Sequence, residues 1–218
     1  MTTSSLRPSP ADVLWSADRL HVAGWSIDAV PAPGRLGKVA TVRFQGCPWT
    51  CTSCETPELS DPMVPGAVAW SAVLDVLADA RDELDAVVLT GGEPTRQDGL
   101  ADAMEQIRDL GIPVELHTTG AYPQRLAAVV SLARRVVMEI KAPAVRYRAV
   151  TGVGSSAHKA FASLRTVLDA GVELQVRTVV DPAVLSDADV DDLRENLAAM
   201  GVRDHVVTRL GRHAVRAH

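Results

Sequence analysis

Short runs of β-branched and aromatic residues alternate with longer stretches of helical periodicity along most of this chain. Val39-Ala-Thr-Val-Arg-Phe-Gln45 has strand spacing, and just beyond it Val68, Val73, Leu74 and Leu77 recur at helical spacing within 67–80. The same reading predicts strands over 86–90, 114–119, 136–141, 173–180 and 205–210. Between them it predicts helices over about 98–110, 123–133, 156–170 and 187–200. That is an α/β chain of about six βα units, whose right-handed crossovers require a mainly parallel sheet covered by helices. An open doubly wound sheet and a barrel or part-barrel both satisfy the pattern, although six units fall short of the eight that close a full barrel. In either architecture, functional residues belong at the C-terminal ends of the strands.

Residues 1–37 break the alternation. They are rich in Ser, Pro and Gly, with short apolar pieces at 13–15 and 20–25. A short irregular N-terminal extension is expected there, with room for a hairpin, leaning on a domain that spans 38–218. At the other end, residues 210–218 read as a basic tail containing Arg212, His213, Arg216 and His218. Lys and Arg number 22 against 27 Asp and Glu, a net charge of -5, which is opposite to the footprint of a protein held on phosphate backbones. No nucleic-acid partner is expected. The most apolar runs are interrupted by Arg, Asp or Gly, so no membrane partner is expected either, and residues 1–15 lack the pattern of a secretion leader. A cytoplasmic location follows as an expectation.

All three cysteines fall in one loop after the first strand, Cys47-Pro-Trp-Thr-Cys51-Thr-Ser-Cys54. They cannot staple distant parts of a fold, and packing alone does not explain why one Pro-containing loop holds all of them. Thiolates in such a loop suit zinc or an iron–sulfur cluster. A structural zinc site wants four closed ligands, and no His lies within a few residues to complete one. A ferredoxin-type cubane wants four Cys, and no fourth exists. Three Cys on a four-iron cluster would leave one iron open for a substrate or cosubstrate.

The Cys-x3-Cys-x2-Cys spacing in the context FQGCPWTCTSCETPE resembles the radical S-adenosylmethionine (SAM) superfamily. The flanking residues are most similar to activating enzymes of glycyl radical proteins, and among these to anaerobic ribonucleoside-triphosphate reductase activating proteins. The resemblance covers roughly residues 39–210. It implies a partial (βα)6 barrel with a [4Fe-4S] cluster on Cys47, Cys51 and Cys54, the fourth iron chelated by the amino and carboxylate groups of SAM. It also implies that one electron from the cluster cleaves the sulfonium C–S bond and that the 5′-deoxyadenosyl radical removes a hydrogen atom, chemistry that belongs to the cofactors.

The other strand ends add candidates for cofactor binding. Gly91, Gly92 and Glu93 resemble the family's Gly-Gly-Glu-Pro motif, in which glycines allow close approach and carbonyls with a carboxylate accept from the methionine ammonium. Thr118 lies in His117-Thr-Thr-Gly120, similar to a Thr-Asn-Gly or Thr-Thr-Gly segment of the family. His117 is left aside, since hydrogen-atom transfer from carbon needs no general base. In Met138-Glu-Ile-Lys141 a period of two puts Glu139 and Lys141 on one face. Related activating enzymes carry Asp-x-Lys here. Arg177 could meet a carboxylate or ribose with its planar fork. Ser53 takes the place of a residue that is usually aromatic and near the adenine, with Trp49 offering apolar cover instead.

The resulting expectation is an iron–sulfur enzyme that cleaves SAM reductively and abstracts hydrogen from a glycine of a partner, by resemblance an anaerobic ribonucleotide reductase. An electron donor such as flavodoxin or ferredoxin is implied. The short chain, without an added substrate domain, is expected to leave the barrel mouth open for a polypeptide. Two alternatives are weighed beside it: a compact radical SAM enzyme acting on a small molecule, similar to 7-carboxy-7-deazaguanine synthase, and a non-catalytic zinc-binding module.

Overall fold

A computed structural model of the chain describes residues 16–32 and 35–210, so the tail at 211–218 and the apolar piece at 13–15 lie outside the described residues. The seven strands are β1 (Val22–Ala32), β2 (Arg35–Phe44), β3 (Ala86–Gly91), β4 (Val114–Thr118), β5 (Arg135–Glu139), β6 (Glu173–Val180) and β7 (His205–Arg209). The helices are α1 (Trp70–Ala80), α2 (Leu100–Asp109), α3 (Pro123–Val129), α4 (Tyr147–Thr151), α5 (Ser156–Ala170) and α6 (Asp187–Ala199). Local chemistry sets several ends. Ser186 and Asp189 form a capping box at the start of α6, and Gly171, with φ +67°, ends α5 in the left-handed region.

The strands lie in the order β1-β2-β3-β4-β5-β6-β7, and each pair from β2 to β7 is parallel. This order decides between the two architectures. A doubly wound sheet reverses its order part-way and places helices on both faces, whereas a sequential sheet with right-handed crossovers keeps all its helices on one face and curls into part of a barrel.

The N-terminal hairpin forms. β1 runs antiparallel to β2, with Trp25 opposite Val42 and Ile27 opposite Ala40. Residues 22–32 are therefore regular edge strand rather than irregular chain, and the boundary expected between 37 and 38 falls inside β2. Gly24 and Pro31 disguised this strand as turn material, although an edge strand is where proline is tolerated.

The period of two divides the sheet cleanly. Val42, Phe44, Leu89, Leu116, Met138 and Val176 are buried on the helix side against Leu77, Ile107, Leu126, Leu164 and Leu193 in one hydrophobic cluster. The alternate residues, among them Thr41, Thr90, His117, Glu139 and Arg177, line cavities on the opposite, concave face. Among the described residues, no helix is long and apolar enough to cross a membrane.

Candidate functional site

The cysteine loop is clamped from both sides. Trp49 is buried, its ring meeting Tyr147 edge-on at 5.9 Å and 82°. Beside it, Thr50 N donates to Thr151 O at 3.2 Å and Thr52 N to Val150 O at 2.8 Å, which seats the loop on α4. On its other side Gly46 N donates to Leu59 O at 2.8 Å and Cys47 N to Ser60 O at 2.9 Å. Trp49→Ala removes the ring that wedges the loop onto α4, so it is expected to lower stability by about 3–5 kcal/mol. It should also accelerate iron loss, read as decay of the cluster's visible absorbance under anaerobic chelation. A variant that keeps its iron as long as the parent would show that the backbone bonds suffice.

The three thiols are free and partly buried, and they share one cavity wall with Gly91, Gly92, Thr118, Glu139, Lys141 and Arg177. Burial pushes the Cys47 thiol up to about 12 and Cys51 up to about 11, with Lys141 pulling Cys51 back. A soft metal would displace these protons on binding. Among the described residues no three His, Cys, Asp or Glu side chains converge on a single ion. A donor set made only of sulfur around a shared space suits a sulfide-bridged iron cluster.

Gly91 and Gly92 are required by the chain's own backbone. Gly91 has φ +115°, and a Cβ on it would stand 2.4 Å from Phe44 N; one on Gly92 would stand 2.5 Å from Gly46 O. Their smallness draws the end of β3 up to the residue before Cys47, where Gly92 N donates to Phe44 O at 2.9 Å and Glu93 N to Gly46 O at 3.0 Å. Both glycines still face the cavity.

Glu93 and Ser53 do not line it. Glu93 is fully buried behind the wall, where its carboxylate accepts from Thr95 N at 3.0 Å, Thr95 Oγ1 at 2.6 Å, Thr118 Oγ1 at 2.6 Å, Thr119 N at 2.8 Å and Thr119 Oγ1 at 2.5 Å. It knots the ends of β3 and β4 together instead of presenting free oxygens to an ammonium. Ser53 is buried with its Oγ unpartnered among the described residues.

Glu139 and Lys141 face the cavity as a direct ion pair, and Lys141 N donates to Tyr147 Oη at 3.2 Å. Burial opposes both charges, but each more than offsets it for the other. Glu139 is held below the usual carboxylate range and Lys141 above the usual lysine range, with the Cys51 thiolate adding to the latter. Arg177 reaches Glu55, the residue after Cys54, at 3.5 Å and so links β6 to the cysteine loop. Sequence reasoning missed Thr41, Arg43 and Thr90 on the same wall, although strand parity from Glu139 and Arg177 marks that face.

His117 also lines the cavity, where burial holds it down at about 4 against the pull of Glu115; Glu139, Arg135 and Arg177 are the other charged groups that act on it. In the unfolded chain a histidine titrates near about 6.5, so between these values the unfolded state binds more protons and stability rises with pH. The contribution is complete above about 6.5 and is lost as pH falls toward 4, by at most about 3 kcal/mol. Urea denaturation should show this slope in the parent and a flatter one in His117→Gln. Parallel slopes would mean that His117 is protonated in the folded chain.

The sequence pattern of the Radical SAM superfamily matches residues 41–197, from β2 through most of α6. The chain belongs to that superfamily. Radical SAM proteins use a [4Fe-4S] cluster and S-adenosylmethionine, and the three cavity-facing thiols beside Gly91, Gly92 and Lys141 fit both. A 7-carboxy-7-deazaguanine synthase of Methanopyrus kandleri is 32% identical over 124 residues, 48% of this chain and 49% of that protein. A candidate glycyl-radical enzyme activating enzyme of Methanocaldococcus jannaschii is 23% identical over 120 residues, 52% of this chain and 50% of that one. The chain thus spans about half the length of these curated relatives. Its fold is similar to that of Streptococcus suis SuiB bound to the precursor peptide SuiA, with a TM-score of 0.65 and 15% identity over 79% of this chain and 39% of SuiB.

Proposed function

We propose that this radical SAM protein activates a glycyl radical enzyme, with an anaerobic ribonucleotide reductase as the partner that its cysteine-loop sequence favours. The observation that carries the proposal is a cavity lined by Cys47, Cys51 and Cys54 beside the C-terminal ends of the strands, its cysteine loop carrying the sequence context that resembles the activating enzymes. The similarity to a candidate activating enzyme supports the same reading.

When bound by Cys47, Cys51 and Cys54, the cluster would supply the single electron for reductive cleavage of SAM, the chemistry that hydrogen abstraction from a glycine Cα requires. The chain's part is placement. Its three thiols would hold the cluster, the carbonyls of Gly91 and Gly92 would accept from the cosubstrate ammonium, and the Lys141–Glu139 pair with Arg177 would orient its polar groups. The buried apolar wedge of Trp49 keeps water from one side of the loop. A 7-carboxy-7-deazaguanine synthase-like reaction on a small molecule is the second reading, favoured by the 32% identity to such an enzyme. An anaerobic incubation with the reduced holoenzyme, SAM and the reductase should give a glycyl radical EPR doublet. Silence despite 5′-deoxyadenosine formation would remove the partner, and turnover of a small pterin without any protein partner would establish the second reading.

A further inference from the structure

A buried ammonium stands on the wall that carries the thiols. Lys141 is only 5% exposed, yet it lines the same cavity as Cys47, Cys51 and Cys54. Its place is set by the bracket that also seats the cysteine loop. Lys141 N donates to the hydroxyl of Tyr147, whose ring meets Trp49 and Phe161 edge-on, and the same short helix α4 accepts Thr50 N and Thr52 N on its carbonyls. The chain just beyond β5 and the thiol loop are thereby fixed to one element.

The three thiols do not share this charge equally. After burial, Lys141 is the strongest influence on the Cys51 thiol and draws it down, ahead of Glu139, which pushes it up. The Cys51 and Cys54 thiolates in turn help to keep the buried ammonium charged. Cys47, by contrast, is pushed up by burial and, more weakly, by Glu93. Of the other arginine and lysine side chains on this wall, Arg177 is drawn to Glu55 and Arg43 donates to the Ser26 hydroxyl at 3.3 Å.

We infer that Lys141 sets the reduction potential of the cluster, its fixed ammonium beside Cys51 and Cys54 raising the potential and Glu139 opposing it by a smaller amount. The inference rests on the reading that the three thiols hold the cluster, and is independent of which substrate loses the hydrogen. A cluster that takes up one electron gains one negative charge, so a cation held in a poorly solvated wall stabilises the reduced form more than the oxidised one. A unit charge acting over about 10 Å at an effective dielectric constant of about 20 favours the reduced form by roughly tenfold or more. This effect operates before SAM arrives, and so is separate from any part that the pair plays in orienting the cosubstrate.

An EPR-monitored redox titration of the reconstituted protein without SAM tests it, because a lysine that served only to hold SAM would leave the SAM-free potential unmoved. In Lys141→Met, poised at the parent's midpoint, the ratio of reduced to oxidised cluster should fall about tenfold or more, which is a shift of about 59 mV or more for a one-electron couple. Lys141→Arg, which keeps the charge, should stay close to the parent. Glu139→Gln removes the opposing charge and should move the midpoint upward by less. Coincident midpoints in the parent and Lys141→Met would overturn the inference. Shifts of the same sign in Lys141→Met and Glu139→Gln would overturn it too, since they would report a disturbed wall rather than a field. If Lys141→Met does not keep four irons, Glu139→Gln decides: an upward shift supports the inference, and an unmoved or lowered midpoint overturns it. A parent that takes up no reducible cluster would bring down the cluster reading and this inference with it, whereas shifted midpoints beside a silent glycyl radical assay would remove only the partner.

Discussion

Cys51→Ala is expected to lose its iron–sulfur cluster and to reduce SAM cleavage to background while keeping its fold. The thiol is partly buried in a loop that Trp49, Thr50 and Thr52 already hold through ring and backbone contacts, none of which uses the sulfur. Removing one sulfur from such a site costs about 1 kcal/mol of packing, within the margin of an ordinary domain. Cluster binding has no such reserve. The chain has only three cysteines, all on this cavity, and no other soft ligand can take the place of the missing one. Far-UV circular dichroism should match the parent, anaerobic reconstitution should leave the variant nearly colourless, and 5′-deoxyadenosine should be undetectable. A variant that still binds four irons and cleaves SAM would show that the thiol trio is not the cluster site.

Much of this site was legible because its logic is local. The cysteine spacing lies within eight residues, and the alternation over 138–141 put Glu139 and Lys141 on one face without knowledge of anything else in the chain. The strand and helix periods gave β6 and α5 with the bounds the structure has, since β-branched and helical runs there are uninterrupted. What sequence reasoning missed depends on distant partners. Glu93 reads as a free carboxylate in a turn until Thr118 and Thr119, 25 and 26 residues on, arrive to saturate it. The role of Trp49 depends on Tyr147, and the glycines after β3 answer to the backbone at Phe44 and Gly46. The helix expected over 123–133 gives way after Val129 to a 3-10 turn at Val130–Leu132, which the apolar pattern alone does not mark.

Glu93→Gln separates a knot from a ligand. The fully buried carboxylate is held by N–H and O–H donors from Thr95, Thr118 and Thr119, two of them backbone amides that cannot reverse their role. An amide offers one acceptor oxygen and turns a second donor toward groups that are donors themselves; threonine hydroxyls can rotate to accept, but the amides of Thr95 and Thr119 cannot both be satisfied as before. Leaving a buried donor unpaired costs about 1–3 kcal/mol, more where the lost partner was charged, so a net loss of roughly 2–4 kcal/mol is expected. For a chain of this size that lowers the melting temperature by roughly 5–15 °C. Because Glu93 N also braces Gly46 O, the loosened knot should release iron from the neighbouring loop sooner. A carboxylate that served only to accept from the SAM ammonium would behave differently, leaving the cluster-free protein's melting temperature unchanged and raising only the KM for SAM. Thermal unfolding of the protein without SAM therefore decides between the two, and an unshifted transition would return Glu93 to the cavity.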